Sequence, residues 1–161
     1  MSREAFHILE VQIDEPFQDR VQPELLRRTA QGALNHQQVS SPCELAVVVT
    51  DDGALHELNL RHRHVDAPTD VLAFPDDTTG PFVAAPGLHR YLGDVIISFQ
   101  RAEAQAAAAG HDVRAELQLL VVHGVLHLLG YDDSEADQRT QMWVAQAQIL
   151  DMLGVEVHLP S

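Results

Sequence analysis

Short apolar segments in the first two thirds of the chain have the pattern of β-strands. Residues 5–13 partly alternate between apolar and polar side chains, whereas 43–50 and 92–99 are nearly continuous runs rich in β-branched residues and leucine. A further short strand is predicted at the end of 65–75, where a proline should stop it because proline cannot donate to a sheet. The turn-forming residues over 76–90 predict a mobile loop.

Between and after these strands, the spacing of apolar residues predicts five helices. They cover residues 23–34, 53–63, 101–109, 112–129 and 135–153. Either Asp51 or Asp52 can cap the second helix. Gly130 is predicted as the C-cap of the fourth helix. Ser134 is predicted as the N-cap of the last helix, with Asp137 in its first turn.

The fourth predicted helix, over 112–129, has no polar face. Leucine and valine occupy almost every side of it, and it would be about 27 Å long. A helix of this kind belongs in the interior of a domain. Strands that precede and alternate with helices predict an α+β fold, in which a mixed sheet and helices pack around this buried central helix. We expect residues 1–161 to form a single domain.

The composition is that of an ordinary globular chain. Of the 161 residues, 45% are hydrophobic, and Cys43 is the single cysteine, which excludes a disulfide framework within the chain. We therefore expect a reducing, cytoplasmic compartment. The first residues lack the pattern of a signal peptide, and no apolar run approaches the roughly 20 residues of a membrane helix. We expect no membrane association.

The charged residues are unbalanced, with 24 acidic side chains against 10 basic ones and a formal net charge of −14. Every one of the basic residues is arginine. The absence of lysine excludes the Walker phosphate loop, Schiff-base catalysis and a serine–lysine mechanism. The acidity argues against loose binding of nucleic acid by bulk charge. If the substrate is a phosphate polymer, it would be held locally, through a few arginines or a bound cation.

The segment HGVLHLLGYDD places titratable groups within and just after the apolar helix. His123 and His127 are four residues apart and share one helix face, with Cβ atoms roughly 5–6 Å apart. A divalent metal would satisfy one nitrogen of each buried ring. After the chain reverses at Gly130, either Asp132 or Asp133 can add a carboxylate. Alternatively, both histidines bond to backbone carbonyls in the core and the aspartates cap the next helix.

The residue after His123 decides against one class of metal enzyme. It is Gly124, in the position where zinc proteases of the HExxH type carry their glutamate base. A metalloprotease therefore loses most of its support. Three protein ligands would leave one coordination position open, which is typical of a catalytic rather than a structural zinc site.

A second polar cluster lies in LNLRHRHVDAPTDVLAFP, over 58–75. Its densest group of cationic side chains is Arg61, His62, Arg63 and His64. The planar guanidinium of arginine suits a phosphate. Beside a metal, such a group could hold a phosphodiester and stabilise its developing negative charge. Without a metal, the cluster would be a solvated helix end whose arginines face the helix dipole and nearby acids.

Three segments together resemble one known family. They are HGVLHLLGYDD, LNLRHR followed by PTDVLAFP, and YLGDVIIS. They resemble the YbeY family of bacterial endoribonucleases, the rRNA maturation factors. The resemblance extends over about residues 43–150. It implies a mixed α+β fold and a metal-dependent enzyme, usually with zinc, that cuts single-stranded RNA. It also implies a role in ribosome maturation and quality control, notably at the 3′ end of the small-subunit rRNA. The ribosome or ribosomal proteins would be partners, and the oligomeric state is left open.

The family's metal motif, HGxLHLxGYDH, has three histidines, of which this chain matches two. They are His123 and His127, and the third position is Asp133, which we therefore expect to complete the site. Aspartate can bind zinc with suitable geometry, but its negative charge should make the metal a weaker Lewis acid. The resemblance implies one divalent ion, zinc, and the carboxylate also admits manganese or iron.

The family has an arginine before the PTDVL segment, and Arg63 is at the matching position in this chain. The resemblance implies that Arg63 is a catalytic residue that contacts the phosphate. We expect Arg61 to bind substrate beside it. A metal on the three ligands would polarise a water or a phosphate oxygen while Arg63 holds the scissile phosphate. The general base is left open between Asp70, Asp132 and the substrate's own 2′-hydroxyl.

Other functions are compatible with the same residues. A non-catalytic ribosome-assembly protein could use a structural metal and dock RNA with its arginines. Two histidines and one carboxylate are also the ligand set of non-haem iron oxygenases, although those enzymes usually carry it on a β-barrel rather than on a buried helix. A metal-dependent protease is the weakest alternative.

Overall fold

A computed structural model describes residues 7–76 and 90–157. The strands in these residues are β1 (Ile8–Ile13), β2 (Cys43–Thr50), β3 (Val71–Pro75) and β4 (Arg90–Ser98). The helices are α1 (Pro23–His36), α2 (Asp52–Arg63), α3 (Phe99–Ala109), α4 (Val113–Leu128) and α5 (Ala136–Met152), with a short 3-10 helix at Glu15–Phe17. The predicted strands and helices are therefore present. Residues 5 and 6 of the first predicted strand, and almost all of the predicted loop over 76–90, lie outside the described residues.

The strands form one mixed sheet in the order β1-β2-β4-β3. β1 pairs with β2 and β2 with β4 in parallel, whereas β3 runs antiparallel to β4. Alternate residues of β2, Leu45, Val47 and Val49, are fully buried on the face that packs against the helices. The predicted α+β class is confirmed.

Helix α4 lies at the centre of the molecule. It packs against β3 and β4 on one side and against α1, α3 and α5 on others. Several of its large side chains, among them Leu117, Val121 and Leu126, are completely buried, and each of these stabilises the fold by about 1.5–3 kcal/mol. This burial explains why the sequence of α4 lacks a polar face. No helix in the described part of the chain is long and apolar enough to cross a bilayer.

Helix α4 ends in a Schellman motif that reverses the chain. The N–H of Gly130 donates to the carbonyl of His127, and the N–H of Tyr131 donates to that of Leu126, both at 3.0 Å. Gly130 has a φ of +103°, in the left-handed region that favours glycine. Gly130 therefore takes part in ending the helix, but the C-cap is Leu129, one residue before the glycine that the sequence predicted as the cap.

The prediction that Ser134 caps α5 is wrong. Glu135 is the N-cap residue, and its side chain makes no capping hydrogen bond. The backbone N–H and hydroxyl of Ser134 both donate to the carboxylate of Asp132, at 3.0 and 2.8 Å. Because these bonds form a turn between α4 and α5, the hydroxyl is unavailable to the helix and the helix starts one residue later than predicted. Asp137 lies in the first turn, as predicted.

Candidate metal centre

His123 and His127 lie one turn apart on α4, and their rings converge. Their Nε2 atoms are 3.1 Å apart, and the ring centroids are separated by 4.7 Å. Both side chains are half-buried and line a pocket. Two imidazole nitrogens at this separation face one point in space, as the four-residue spacing predicts.

The reversed chain after α4 brings a carboxylate to the same point. Oδ2 of Asp133 lies 3.9 Å from Nε2 of His127, although the two residues are six apart in sequence. The guanidinium of Arg139 donates from Nε to the backbone carbonyl of Asp133 at 3.1 Å and ties this turn to α5. Asp133 itself is exposed, so its carboxylate is accessible from solvent.

These three side chains, which we call the His–His–Asp group (His123, His127 and Asp133), have a geometry that fits a divalent metal. One ligand atom from each lies within 4.8 Å of the others. In tetrahedral zinc sites with bonds of about 2.1 Å, neighbouring ligand atoms are about 3.4 Å apart. The separations of 3.1 and 3.9 Å lie on either side of that distance, and all three pairs lie within 4.8 Å, so side-chain rotations would bring the three ligand atoms to one ion.

A fourth side chain orients the first histidine. Nδ1 of His123 lies 3.1 Å from Oε1 of Gln146, a residue of α5 that is only 6% exposed. Because an amide oxygen can only accept, the proton of the ring is held on Nδ1 and the lone pair of Nε2 is left for a metal. Sequence reasoning missed Gln146. The available signal was a polar residue within the apolar stripe of the last helix, between Met142 and Ile149.

Burial and charge keep His123 in the form that a metal needs. Removal from water lowers the pKa of its imidazole, and the neighbouring His127 lowers this pKa further, although the hydrogen bond to Gln146 opposes both effects. The ring is therefore neutral at pH 7, and the lone pair of its Nε2 faces Nε2 of His127.

The adjacent carboxylate, Asp132, has a different environment. Hydrogen bonds from Ser134, first from its hydroxyl and then from its backbone N–H, lower the pKa of Asp132. Both carboxylate oxygens accept from Ser134, so this side chain stabilises the turn. Of the two aspartates that the sequence left open as ligands, the structure brings Asp133 into the group of metal-ligand atoms.

The His–His–Asp group lies in a pocket of about 600 Å³ that other elements complete. Arg63 and His62 reach it from the end of α2, Asp70 from the loop before β3, and Phe74 from β3. The ring of His62 packs edge-on against Phe74, with centroids 5.2 Å apart. One oxygen of Asp70 accepts from the N–H of Val71 at 2.8 Å. The pocket therefore combines ligand atoms, a cation and a carboxylate.

The structure separates the two arginines that the sequence grouped together. Arg63 lines the pocket, whereas the guanidinium of Arg61 donates to Glu57 on the exposed side of α2, at 2.7 Å. Arg61 is not among the described residues that line the pocket. Its predicted contact with substrate would require this ion pair to open, and such exposed pairs are weak.

The fold and the pocket together indicate a class of protein. An α+β fold, two histidines on its central helix and an arginine at the same pocket are typical of a metal-dependent hydrolase. The family model described as Endoribonuclease YbeY matches residues 9–154. A protein of that name from Chloroflexus aurantiacus is 45% identical over 151 residues, which cover 92% of this chain and 97% of the relative. A protein of the same name from Chloroflexus aggregans is 49% identical over 127 residues, covering 78% and 82%. The chain belongs to the YbeY endoribonuclease family, as its motifs predicted.

A solved structure supports the fold. The solution structure of TM1509 from Thermotoga maritima matches with a TM-score of 0.59 and covers 91% of this chain and 90% of its own. At 22% sequence identity this similarity shows the α+β fold alone.

Proposed function

We propose that this protein is a metal-dependent endoribonuclease that cleaves phosphodiester bonds of single-stranded RNA. The observation that carries the proposal is the convergence of the His–His–Asp group and Arg63 on one pocket, in a chain of the YbeY family. The relatives in that family bear the name endoribonuclease, which supports a hydrolase acting on RNA.

The physiological substrate in this proposal is rRNA, at the 3′ end of the small-subunit molecule, in ribosome maturation and quality control. The ribosome or its proteins would be the partners, in the cytoplasm, and residues 1–161 would act as one domain. The net charge of −14 supports a need for such a partner or for a small recognition patch, because bulk charge repels RNA.

In the proposed site, His123, His127 and Asp133 hold one divalent ion. Zinc suits two imidazoles and a carboxylate, and manganese or iron are alternatives because of the carboxylate. When bound, the metal supplies a Lewis acid that polarises an oxygen of water or of the phosphate. Gln146 keeps His123 in the tautomer that binds it.

The remaining groups of the pocket handle the phosphate and the proton. Arg63 holds the scissile phosphate, because its guanidinium can donate two parallel hydrogen bonds to phosphate oxygens. Asp70 is a better candidate than Asp132 for accepting a proton, since the oxygens of Asp132 accept from Ser134 and its pKa is lowered. If the substrate's 2′-hydroxyl attacks instead of water, the product carries a 2′,3′-cyclic phosphate rather than a 3′-hydroxyl.

The decisive experiment compares wild type with His127→Ala on a labelled single-stranded RNA. Each protein is assayed with chelator, then with zinc or manganese restored, and its bound metal is quantified. His56→Ala, which removes an exposed histidine of α2 outside the pocket lining, is the matched control. We expect cleavage by wild type and by the control only, lost with chelator and restored by one metal.

The outcomes separate the alternatives. Equal cutting by wild type and His127→Ala would identify a contaminating nuclease. Stoichiometric metal in wild type without any cleavage would instead favour a ribosome-assembly protein with a structural metal. Oxygen consumption that depends on iron would favour the oxygenase.

A further inference from the structure

Helix α5 carries a large aromatic side chain on the surface. Trp143 is the one tryptophan of the chain, and 56% of its surface is exposed. Among the described residues, its indole N–H has no hydrogen-bond partner and its ring has no aromatic partner. From the sequence alone, Trp143 at the centre of the last helix would be a core residue, so its exposure needs a separate explanation.

Helix geometry places Trp143 on the flank of α5 nearest the candidate metal centre, just outside the residues that line the pocket. At about 100° per residue, Trp143 is about 60° and Arg139 about 20° around the helix from Gln146. Gln146 contacts His123, and Arg139 contacts the backbone of Asp133. Trp143 lies along the helix between these two contacts, one turn from each, and helical side chains lean toward the N-terminus, here toward Asp133.

The surroundings of Trp143 differ from a protein-binding patch. Its neighbours one turn away are Arg139, Thr140, Gln146 and Ala147. Gln146 is buried, and the other three are polar or small. The exposed Val144 lies about 100° around the helix, so the flank that carries the ring has no other large exposed apolar side chain of α5. Protein partners usually cover contiguous apolar patches, whereas single-stranded nucleic acids stack individual bases on individual aromatic rings.

The charge of the protein means that affinity for RNA near α5 must come from something other than Coulomb attraction. Asp132, Asp133, Glu135 and Asp137 all lie in the turn before α5 or in its first turn, where they repel phosphates. Stacking of a base on an indole ring needs no charge and is tolerant of sequence. In a chain with 24 acidic and 10 basic residues, it supplies affinity for RNA that bulk charge cannot.

We infer that Trp143 is a stacking platform for one nucleobase of the single-stranded RNA, next to the nucleotide whose phosphate occupies the metal pocket. This inference rests on the proposed function. A duplex cannot offer an unstacked base to the ring, so the platform would also select single strands. Trp143 binds in this scheme and takes no part in the chemistry.

The test uses the fluorescence of Trp143, which reports on this residue alone because the chain has no other tryptophan. Metal-loaded protein is mixed rapidly with a single-stranded RNA of about ten nucleotides, a length within known site sizes. The same strand with abasic positions and a duplex of the same sequence are the comparison ligands. We expect quenching by the single strand and little quenching by the other two.

Steady-state cleavage supplies a second readout. Trp143→Ala should raise KM about tenfold and leave kcat nearly unchanged, since one stacked base contributes binding that is equal in the ground and transition states. Trp143→Phe should retain most of the affinity. Val144→Ala is the matched control. Val144 is 51% exposed but lies about 160° around the helix from Gln146, so the KM of this variant should equal that of wild type.

Three results would overturn the inference. They are the absence of quenching by the single strand, equal quenching by the abasic strand, and an unchanged KM for Trp143→Ala on the oligonucleotide. If in the last case cleavage within ribosomal particles falls, Trp143 contacts a protein instead. Failure of the proposed function would give a different result, because wild type would then cut no RNA with any metal. The quenching test does not depend on cleavage of the strand.

Discussion

The third proposed ligand of the candidate metal centre is a carboxylate, Asp133, and its negative charge bears on the reactivity of the site. Asp133→His should restore the three neutral ligands of the family motif. With less negative charge around the metal, a bound water ionises more easily, so the acid limb of the pH profile of cleavage should move to lower pH, by roughly one unit. The preference for zinc over manganese should also increase.

The pH profiles of kcat/KM for wild type and Asp133→His, each with zinc and with manganese, measure both effects. Asp133→Asn keeps the size of the side chain and removes its charge, and it controls for the shape of the site. Identical profiles for wild type and Asp133→His would show that this carboxylate is not a ligand.

Gln146 gives a prediction about metal affinity. Gln146→Ala removes the acceptor that holds the proton of His123 on Nδ1, so metal affinity should fall about 10- to 100-fold, as for other residues that orient a ligand. Gln146→Glu should retain or increase affinity, because a carboxylate accepts more strongly. Competition with a chromophoric chelator measures the affinity. Gln148→Ala, on the exposed side of α5, should have no effect.

The sequence allowed some of these residues to be found and not others. His123, His127 and Asp133 share a short segment whose helical spacing and chain reversal bring them together through local geometry. Gln146 and Trp143 acquire their positions only when α5 docks beside α4. That docking depends on tertiary packing, which no local pattern in either helix specifies.

At the scale of elements, the close packing of α4 on β4 makes Gly124 sensitive to substitution. A Cβ at this position would lie 2.4 Å from Cγ1 of Val95. Val95 is a fully buried residue of β4. Gly124→Ala should therefore destabilise the fold by about 1–3 kcal/mol despite the better helix propensity of alanine. Urea denaturation of the metal-free proteins measures the change.

Two further variants test the cause of that change. Gly53→Ala, in α2, would meet nothing closer than 3.4 Å and should leave stability nearly unchanged or slightly raised. In the double variant Gly124→Ala with Val95→Ala, the penalty should be smaller than the sum of the two single changes. Strict additivity would mean that contact with Val95 is not the source.

Elements were easier to predict than their arrangement. Long, nearly continuous apolar runs located α4 and β2. The start of α5 was missed because the hydroxyl of Ser134 bonds to Asp132 instead of capping the helix. The sheet order β1-β2-β4-β3 was beyond the sequence, since the pattern within a strand carries no record of which strand lies beside it.

For the whole molecule, the net charge of −14 predicts how RNA binding depends on salt. With few arginines to neutralise phosphates, the slope of log affinity against log salt should be shallow. Arg63→Ala should make it shallower by about 0.7, the value expected for one lost phosphate contact on a single strand. Affinities measured over a range of salt concentrations give this slope.

Arg61→Ala is the matched control, because it removes the same charge from the same helix. If Arg61 stays paired with Glu57, the slope should not change. A decrease equal to that of Arg63→Ala would show that Arg61 also contacts a phosphate, as the sequence suggested. An unchanged slope in Arg63→Ala would remove the proposed phosphate contact.

The proposed ligands all lie within eleven consecutive residues, from His123 to Asp133. Ligands that are neighbours in sequence stay near one another even in the denatured chain, which therefore keeps some affinity for the ion. An ion stabilises the native state only by the excess of its affinity for that state over the denatured one. Metal will accordingly raise the melting temperature by less than its native-state affinity implies, and chelation will abolish activity while leaving the chain folded.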